Sequence, residues 1–257
     1  MAAPHILMET SDRVLRVTLN RPEKHNALSR DLLEDLRAAF EAHSRDETLV
    51  AAVVRGAGAK SFAAGGDLRD LASVRTLEAA REMATRAKAA LNAIRSFPVP
   101  VVAALNGDAL GGGAELAVAC DFRVAAPHAR IGFVQGRLNI TTAWGGGVDL
   151  LQIVGPTVGL RLLAQSEVLD GPGALSLGLY DALALEPEGF DAVVDDFLAP
   201  IRQKTPLVLR AFKALAASAR RSVPRQEMEE LETAFLAETW VHPDHWVAAD
   251  KILGPRR

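Results

Sequence analysis

The 257-residue sequence contains a single cysteine, Cys120, so no disulfide can form within the chain. Such low cysteine usage is typical of a reducing compartment. Cys120 lies in an apolar stretch, where a buried, inert thiol is favoured over a nucleophile. Long hydrophobic runs are also missing, since none approaches the roughly 20 residues that a helix needs to span a bilayer. Because the first residues include acids and no apolar core, we expect no secretory signal and a cytoplasmic protein.

The sequence also lacks a large excess of positive or of negative charge. The formal net charge is −3, and no long run of Lys or Arg occurs. A nucleic-acid-binding surface would carry a basic patch, so we expect neither nucleic acid nor a membrane as a partner. His242 and His245 flank Asp244, but this is not the spacing of a helical zinc site, and no third ligand is near in sequence. Surface histidines are the favoured interpretation, and we expect no metal site.

Neither of two common phosphate-binding patterns, G-x-G-x-x-G and G-x-x-x-x-G-K-[ST], is present. The most informative segment is a run of small and apolar residues from 102 to 122. A stretch typical of a buried strand ends at Asn106-Gly107, three glycines at 111–113 open a helix, and Glu115 lies in the first turn. Tight helix packing would also explain the three glycines.

Glycines at the start of a helix leave backbone amides uncovered, and the helix dipole adds a positive end. Together these features form a site for an oxygen that becomes negative during a reaction. Glu115 would repel such an anion, so an acid, a base or a substrate-orienting group explains it better than stability does. A second glycine loop, Gly65-Gly66-Asp67, follows an apolar run at 49–54. Two loops supply the two amide donors that an oxyanion hole needs.

Four segments resemble the crotonase superfamily, the enoyl-CoA hydratase/isomerase family, in order and in spacing. They are L-N-R-P-E-K-H-N-A-L-S from residue 19, F-A-A-G-G-D-L from residue 62, the glycines before Glu115, and W-G-G-G from residue 144. The match covers nearly the whole chain. The resemblance implies an α/β fold built as a spiral of ββα turns. It also implies an acyl-CoA substrate and no cofactor beyond the coenzyme A moiety of that substrate.

The resemblance assigns residues to the substrate. The amides of Gly66 and Gly112 would hold the thioester oxygen, and Gly111 and Trp144 would line the substrate pocket, although core packing explains Trp144 equally well. Arg21 and Lys24 are candidate partners for the phosphates, with a solvated loop charge as the alternative for each. The predicted coenzyme A contacts are Lys24, Ala27, Leu28, Ala64, Asp67 and Leu68, together with Lys251 from a neighbouring subunit.

One residue departs from the hydratase pattern and decides the predicted chemistry. Hydratases of this family position a water with two glutamates. Glu115 matches the first, and Gln135 stands where the second belongs. Glutamine transfers no proton at neutral pH, although its amide can hold a water or a carboxylate.

Decarboxylation of a short 2-alkylmalonyl-CoA ranks first at this point, because it forms an enolate directly and needs only an oxyanion hole and one acid. The segments around Glu115 and Gln135 are also most similar to the ethylmalonyl-CoA/methylmalonyl-CoA decarboxylase branch. The first alternative is an enoyl-CoA hydratase that works with Glu115 alone. The second is a non-catalytic CoA-binding subunit that has kept the fold.

Periodicity predicts alternating strands and helices over most of the chain. Strands are expected at 14–19, 49–55, 99–104 and 122–125, and helices at 29–40, capped by Ser29, and at 76–96, above the acyl pocket. From about Phe190 the strands stop. We predict a spiral core over residues 1–189 and a helical region over residues 190–257 that packs on the core or on a neighbouring subunit. The resemblance implies that this region builds a homotrimer or a hexamer made of two trimers.

Overall fold

The computed structural model describes residues 3–254, in which ten strands form two sheets. The larger sheet has the spatial order β1 (Ile6–Ser11), β2 (Val14–Leu19), β3 (Ala51–Gly56), β5 (Val101–Leu105), β7 (Phe122–Ala125) and β10 (Ala182–Leu183). Only its first pair, β1 with β2, is antiparallel. The smaller sheet has the order β4 (Ser61–Ala63), β6 (Asp108–Leu110), β8 (Ile131–Gly132) and β9 (Val168–Leu169).

Among residues 3–254, ten α-helices cover the sheets and form the C-terminal region. They are α1 (Arg30–His43), α2 (Leu77–Arg95), α3 (Gly112–Ala119), α4 (Gly146–Val154), α5 (Pro156–Gln165), α6 (Gly171–Ser176), α7 (Phe190–Arg202), α8 (Pro206–Arg220), α9 (Arg225–Val241) and α10 (Pro243–Leu253). The Ser29 side chain caps α1 by accepting a hydrogen bond from the Leu32 amide, as the sequence predicts. No helix described between residues 3 and 254 is both long enough and apolar enough to cross a bilayer.

The chain repeats one unit three times, and this repetition confirms the predicted spiral of ββα turns. A strand of the larger sheet is followed by a strand of the smaller sheet and then by a helix: β3–β4–α2, β5–β6–α3 and β7–β8–α4. The larger-sheet strands β3 and β5 are almost entirely buried, because helices and the second sheet cover both of their faces. In the smaller sheet, β4 pairs in parallel with β6, and β6 pairs in parallel with β8, so the strands of consecutive turns lie side by side.

The C-terminal region is bound firmly to the spiral through its first two helices. Phe190, Val194 and Leu198 place one face of α7 in the main hydrophobic core. The second helix, α8, is held by an ion pair in which the Lys213 ammonium lies 2.5 Å from the Asp121 carboxylate at the end of α3. The division of the chain at residue 189 stays a prediction.

Helices α9 and α10 expose several large apolar side chains, including Trp240, Trp246, Val247 and Ile252. An exposed apolar face of this kind is what the predicted trimer would cover. The oligomeric state itself stays a prediction.

The Asp121 ion pair predicts a large effect on stability. Asp121 accepts from the Val101 amide at 2.8 Å and lies 2.9 Å from Arg220, and the side chains of Asp121 and Lys213 are only 6% and 4% exposed. Asp121→Ala leaves a buried cation without its partner, so we expect a loss of about 3–5 kcal/mol in the free energy of unfolding. Urea titration followed by circular dichroism measures this loss. The control is Glu82→Ala, which removes an exposed pair with Arg86 and should cost less than about 0.5 kcal/mol. Equal effects of the two variants would contradict the anchoring role.

Candidate active site

The two glycine loops predicted to act together lie side by side. One follows β4 and the other follows β6, and these strands are parallel neighbours in the smaller sheet, so their ends meet at one edge. A β-carbon at Gly65 would lie 3.2 Å from the Leu110 oxygen and 3.6 Å from the Gly112 nitrogen. Gly65 also has a φ of +110°, which L side chains rarely adopt. Its bend brings the Gly66 loop against the start of α3.

The backbone amides of Gly66 and Gly112 have no hydrogen-bond acceptor among residues 3–254. Gly112 is the first residue of α3, so its amide lacks a partner within the helix. The Gly111 amide, in contrast, donates to the Gly132 oxygen at 2.8 Å. The Gly111 amide therefore extends the pairing of β6 with β8, and the predicted place of Gly111 in the pocket lining stays a prediction. Gly66 and Gly112, to which the resemblance assigns the thioester oxygen, thus both have unpartnered amides in the described chain, and that role stays a prediction.

The third glycine of the triplet has the packing role that was the simpler interpretation of all three. A β-carbon at Gly113 would lie 2.7 Å from the carbonyl carbon of Ala63 in β4. Only glycine lets α3 approach the smaller sheet this closely. The triplet thus combines a turn residue, an amide donor and a packing residue in three consecutive positions.

Trp144 joins the two loops. Its indole is 94% buried, and the Cη2 atom would lie 2.7 Å from a β-carbon at Gly112 and 3.4 Å from one at Gly66. The indole therefore packs against both glycines that carry the unpartnered amides. Core packing and pocket lining, which were alternatives from the sequence, coincide in this one side chain.

Glu115 is 98% buried and makes three hydrogen bonds. Its Oε2 atom accepts from the backbone amides of Trp144 at 2.9 Å and Gly146 at 3.0 Å, and its Oε1 atom accepts from the Gln135 amide nitrogen at 3.0 Å. Gly146 is the first residue of α4, so the carboxylate lies at the positive end of that helix. All three contacts donate to Glu115, which suits the ionised carboxylate.

Burial raises the pKa of Glu115 above the ordinary value of 4.5, and the hydrogen bonds from Gly146, Trp144 and Gln135 oppose that rise. The carboxylate is therefore a stronger base than glutamate in water. A base whose pKa is closer to neutral transfers protons more effectively at neutral pH.

Gln135 lies beside Glu115, where the sequence predicts it. It belongs to a short 3-10 helix at Val134–Leu138 and is 91% buried. Because its nitrogen donates to Glu115, its Oε1 atom is turned the other way, and this atom has no hydrogen-bond partner among residues 3–254. A buried acceptor without a partner is costly, so a donor such as water would be stabilised there.

An ion pair that was not predicted positions the Trp144 segment. The Arg95 guanidinium, at the end of α2, donates to the Trp144 oxygen at 3.1 Å and to the Asp149 carboxylate of α4 at 2.7 Å. From the sequence, the expectation for α2 was only a place above the acyl pocket. No local pattern signals Arg95, because its partners are about fifty positions away in the chain.

The predicted coenzyme A contacts fall into an exposed and a buried group. Lys24, Ala64 and Leu68 are exposed, and Ala27 is half-buried. Leu28 has no exposed surface, and its backbone binds the Gly66 loop on both sides: its amide donates to the Gly65 oxygen at 2.8 Å and its oxygen accepts from the Asp67 amide at 2.9 Å. The Leu28 backbone therefore holds the Gly66 loop in place.

Arg21 and Asp67 form a buried pair, with 2.8 Å between guanidinium and carboxylate. The two interpretations offered for Arg21, a phosphate ligand and a solvated loop charge, are both wrong, because its side chain is 9% exposed and already paired. The same pair occupies the Asp67 side chain and holds its carboxyl pKa below the ordinary value.

Lys251 is exposed on α10, and nothing among residues 3–254 connects it with the other predicted contacts. Its contact with the coenzyme A of a neighbouring subunit stays a prediction. Within residues 3–254, no group of three or more His, Cys, Asp or Glu side chains is arranged so that it could hold a metal ion.

Comparison with known proteins places this geometry in a family. The enoyl-CoA hydratase/isomerase family model matches residues 9–245. A crotonyl-CoA hydratase of Syntrophomonas wolfei is 35% identical over 84% of this chain and 82% of its own length. A human ethylmalonyl-CoA decarboxylase is 30% identical over 91% of this chain and 76% of its own length.

Solved structures agree with the sequence comparison. The crystal structure of an enoyl-CoA hydratase from Mycobacterium smegmatis superimposes with a TM-score of 0.92, at 26% identity, over 99% of this chain and 98% of that one. The family model and the sequence relatives both span most of the chain. The chain therefore belongs to the enoyl-CoA hydratase/isomerase family.

Proposed function

We propose that this protein adds water to the double bond of a 2-enoyl-CoA thioester. The observation that carries the proposal is the buried pair of Glu115 and Gln135, in which an ionised carboxylate lies beside an unused acceptor, Gln135 Oε1. Water is the small molecule that can donate to both groups at once. The similarity to a crotonyl-CoA hydratase supports the same reaction.

The amides of Gly66 and Gly112 supply the electrostatic part of the mechanism. The thioester oxygen accepts hydrogen bonds from both, which polarises the carbonyl and the conjugated double bond. As water adds, negative charge moves onto this oxygen, and two fixed amide donors stabilise the resulting enolate more than they stabilise the substrate.

Glu115 and Gln135 bind the attacking water by accepting its two hydrogens. One water hydrogen is donated to Gln135 Oε1 and the other to the free lone pair of the Glu115 carboxylate, which takes that proton as the oxygen bonds to C3 of the substrate. The same carboxyl then returns a proton to C2, and this restores the thioester and the ionised Glu115. The proton balance closes on one carboxyl group, so the reaction requires no cofactor beyond coenzyme A in the substrate.

Decarboxylation of a 2-alkylmalonyl-CoA is the second candidate. It is supported by the relatives named ethylmalonyl-CoA decarboxylase and by the raised pKa of Glu115, which favours the protonated form that an enolate needs. The orientation of Gln135 argues against it, because Oε1 would face the substrate carboxylate and repel it. The third candidate is a non-catalytic CoA-binding subunit.

Product masses separate the three candidates. The protein is incubated with crotonyl-CoA, with ethylmalonyl-CoA and with methylmalonyl-CoA, and the thioesters are analysed by mass spectrometry. Addition of one water to crotonyl-CoA supports the proposal. Loss of carbon dioxide from the malonyl thioesters, with crotonyl-CoA unchanged, would replace hydration by decarboxylation. If no thioester changes mass, the result favours the non-catalytic CoA-binding subunit.

Removing one amide donor tests the oxyanion hole. Gly66→Pro deletes an N–H that has no acceptor among residues 3–254, so no described hydrogen bond is lost, and we expect turnover to fall by about 100- to 1000-fold. The matched control is Gly66→Ala, which keeps the amide. Its β-carbon would lie 3.4 Å from Trp144 and 3.2 Å from Leu71, so most activity should remain. Equal turnover in folded forms of both variants would refute the role of this amide.

Glu115→Gln tests the carboxylate by activity and by stability. We expect turnover to fall by about 100- to 10,000-fold, because proton transfer is lost. Between pH 4.5 and the raised pKa of Glu115, the folded parent binds more protons than the unfolded chain, so its stability falls as pH rises through that window. The variant lacks this fall, which urea titrations at several pH values would reveal. Glu78→Gln, at an exposed glutamate of α2, is the control. Undiminished turnover in Glu115→Gln would exclude Glu115 as the base.

Gln135→Leu tests the water acceptor. Leucine has a similar size and no hydrogen-bonding group, so we expect hydration to fall by about 100-fold through misplacement of the water. Decarboxylation needs no water acceptor and would survive this change. Gln135→Glu is the matched control, since it keeps the acceptor oxygens and should retain or increase hydration. A Gln135→Leu variant with the parent's hydration rate would show that another group holds the water.

A further inference from the structure

The turn formed by residues 144–146 lies between an arginine and the Glu115 carboxylate. A β-carbon at Gly145 would lie 2.8 Å from the Arg95 guanidinium, and a β-carbon at Gly146 would lie 2.5 Å from the Glu115 side chain. Successive glycines of the turn therefore face the two charged groups. Arg95 makes no hydrogen bond with Glu115 among residues 3–254, so any effect of one on the other passes through the backbone of this turn.

Trp144 connects the two charged groups most directly. Its amide donates to Glu115 Oε2 at 2.9 Å, and its carbonyl oxygen accepts from Arg95 Nη2 at 3.1 Å. Three consecutive glycines, at 145–147, follow it, and Gly145 has a φ of +93°. Because glycine has more backbone freedom than any other residue, contacts from outside must keep the amides of this turn in place.

The Arg95 guanidinium is itself fixed and can therefore fix the turn. Its Nε and Nη2 atoms both donate to Asp149 Oδ2, at 2.9 Å and 2.7 Å, and its Nη1 atom donates to Asn92 at 2.9 Å. The side chains of Arg95 and Asp149 are only 17% and 14% exposed. A planar guanidinium with this many donors in use has little freedom to move. The Trp144 oxygen is thus tied to α2 and α4 at once.

We infer that Arg95 is a positioning residue for the reaction, because it holds the 144–146 turn with the amides of Trp144 and Gly146 directed at the Glu115 carboxylate. The inference rests on the proposed function, in which Glu115 is the base, and adds to it a residue that contacts the base only through the backbone. Misplacement of a reacting group by about 1 Å can cost about 100-fold in rate, so the placement of this turn matters for turnover.

The turn also affects the ionisation of Glu115. Burial raises the pKa of Glu115, and the hydrogen bonds from Gly146, Trp144 and Gln135 oppose that rise. These three partners carry no charge, so they act on the carboxylate as hydrogen-bond donors. If the turn moves, the two amides donate less well, and the pKa of Glu115 rises further. A change at Arg95 should therefore be visible in the ionisation of Glu115.

Asp149 is a second acid whose ionisation depends on Arg95. Burial raises the pKa of Asp149, and the nearby cations Arg95, Arg220 of α8 and Arg123 of β7 oppose that rise. Loss of Arg95 would raise the pKa of Asp149 as well. An experiment on Arg95 must for this reason distinguish Glu115 from Asp149.

Arg95→Met tests the inference, because methionine keeps much of the length of the side chain but donates no hydrogen bond. With crotonyl-CoA we expect turnover to fall by about 10- to 100-fold. We also expect the rise of kcat/KM with pH to move to higher pH, since the base ionises later. Carbon-13 NMR of the Glu115 carboxyl, identified by comparison with Glu115→Gln, should show the same shift without turnover. Arg81→Met, at an exposed arginine of the same helix, is the control and should change neither quantity.

The double variant Arg95→Met/Asp149→Leu separates positioning from a purely structural role. Arg95→Met alone leaves a buried carboxylate without this cation, which lowers stability, whereas replacing both partners by apolar residues removes that cost. The urea midpoint of the double variant should therefore return towards that of the parent. The Trp144 oxygen still lacks its donor, so the lower turnover and the shift at Glu115 should persist. Without Asp149, that shift cannot be the titration of Asp149. Recovery of turnover and of Glu115 ionisation together with stability would overturn the inference.

The NMR titration also separates this inference from the proposed function. If the parent hydrates no enoyl-CoA, but Glu115 ionises at higher pH in Arg95→Met and in the double variant, the function fails and the positioning role stands. If the parent hydrates crotonyl-CoA and both variants match it in turnover and in Glu115 ionisation, the function stands and the role of Arg95 is overturned.

Discussion

The buried carboxylate of Glu115 is the interaction on which the arrangement of the site depends. It reaches from α3 to the amides of Trp144 and Gly146 at the start of α4, and it also accepts from Gln135. Burying a charge without partners would be prohibitive, so these donors are what allow the carboxylate to remain ionised inside the protein. The same contact explains why the second residue after Trp144, Gly146, is a glycine. A β-carbon at Gly146 would lie 2.5 Å from the Glu115 side chain, so a larger residue would expel the carboxylate.

A second constraint is the parallel pairing of β4 with β6. It brings the ends of two consecutive spiral turns to one edge, and the loop after each end provides one amide without an acceptor in the described chain. Neither turn could form the donor pair alone, because each contributes a single loop. Both loops must pass very close to each other and to Trp144. This close approach explains why positions 65 and 112 are glycines. The fold therefore creates the donor pair through repetition, and Trp144 packs against both loops.

Much of this could be predicted from the sequence because the signals are local. The alternation at 14–19 and the Ser29 cap predicted a strand and a helix start that agree with β2 and α1. The glycine patterns drew attention to Gly66 and Gly112, whose amides have no acceptor among residues 3–254, and their role at the thioester stays a prediction. The errors concern ion pairs between distant segments. Arg21 was interpreted as a phosphate ligand or a solvated loop charge, yet it is buried against Asp67, forty-six positions later. Such pairs leave no trace in spacing, since whether an arginine is solvated or buried depends on tertiary packing rather than on its neighbours in the chain.

The amide at position 135 changes the chemistry that the family geometry can support. With two carboxylates 3.0 Å apart, one would hold a proton at neutral pH, and acid and base would be separate residues. With Gln135 the neighbour is neutral and donates, so it stabilises the ionised form of Glu115 instead of competing with it for a proton. Burial then becomes the main cause of the raised pKa, and in the proposed hydration one carboxyl group both removes and returns the proton. The proposed chemistry depends on keeping bulk solvent away from Glu115 apart from the one reacting water, and the burial of Glu115, Gln135 and Trp144 restricts that access.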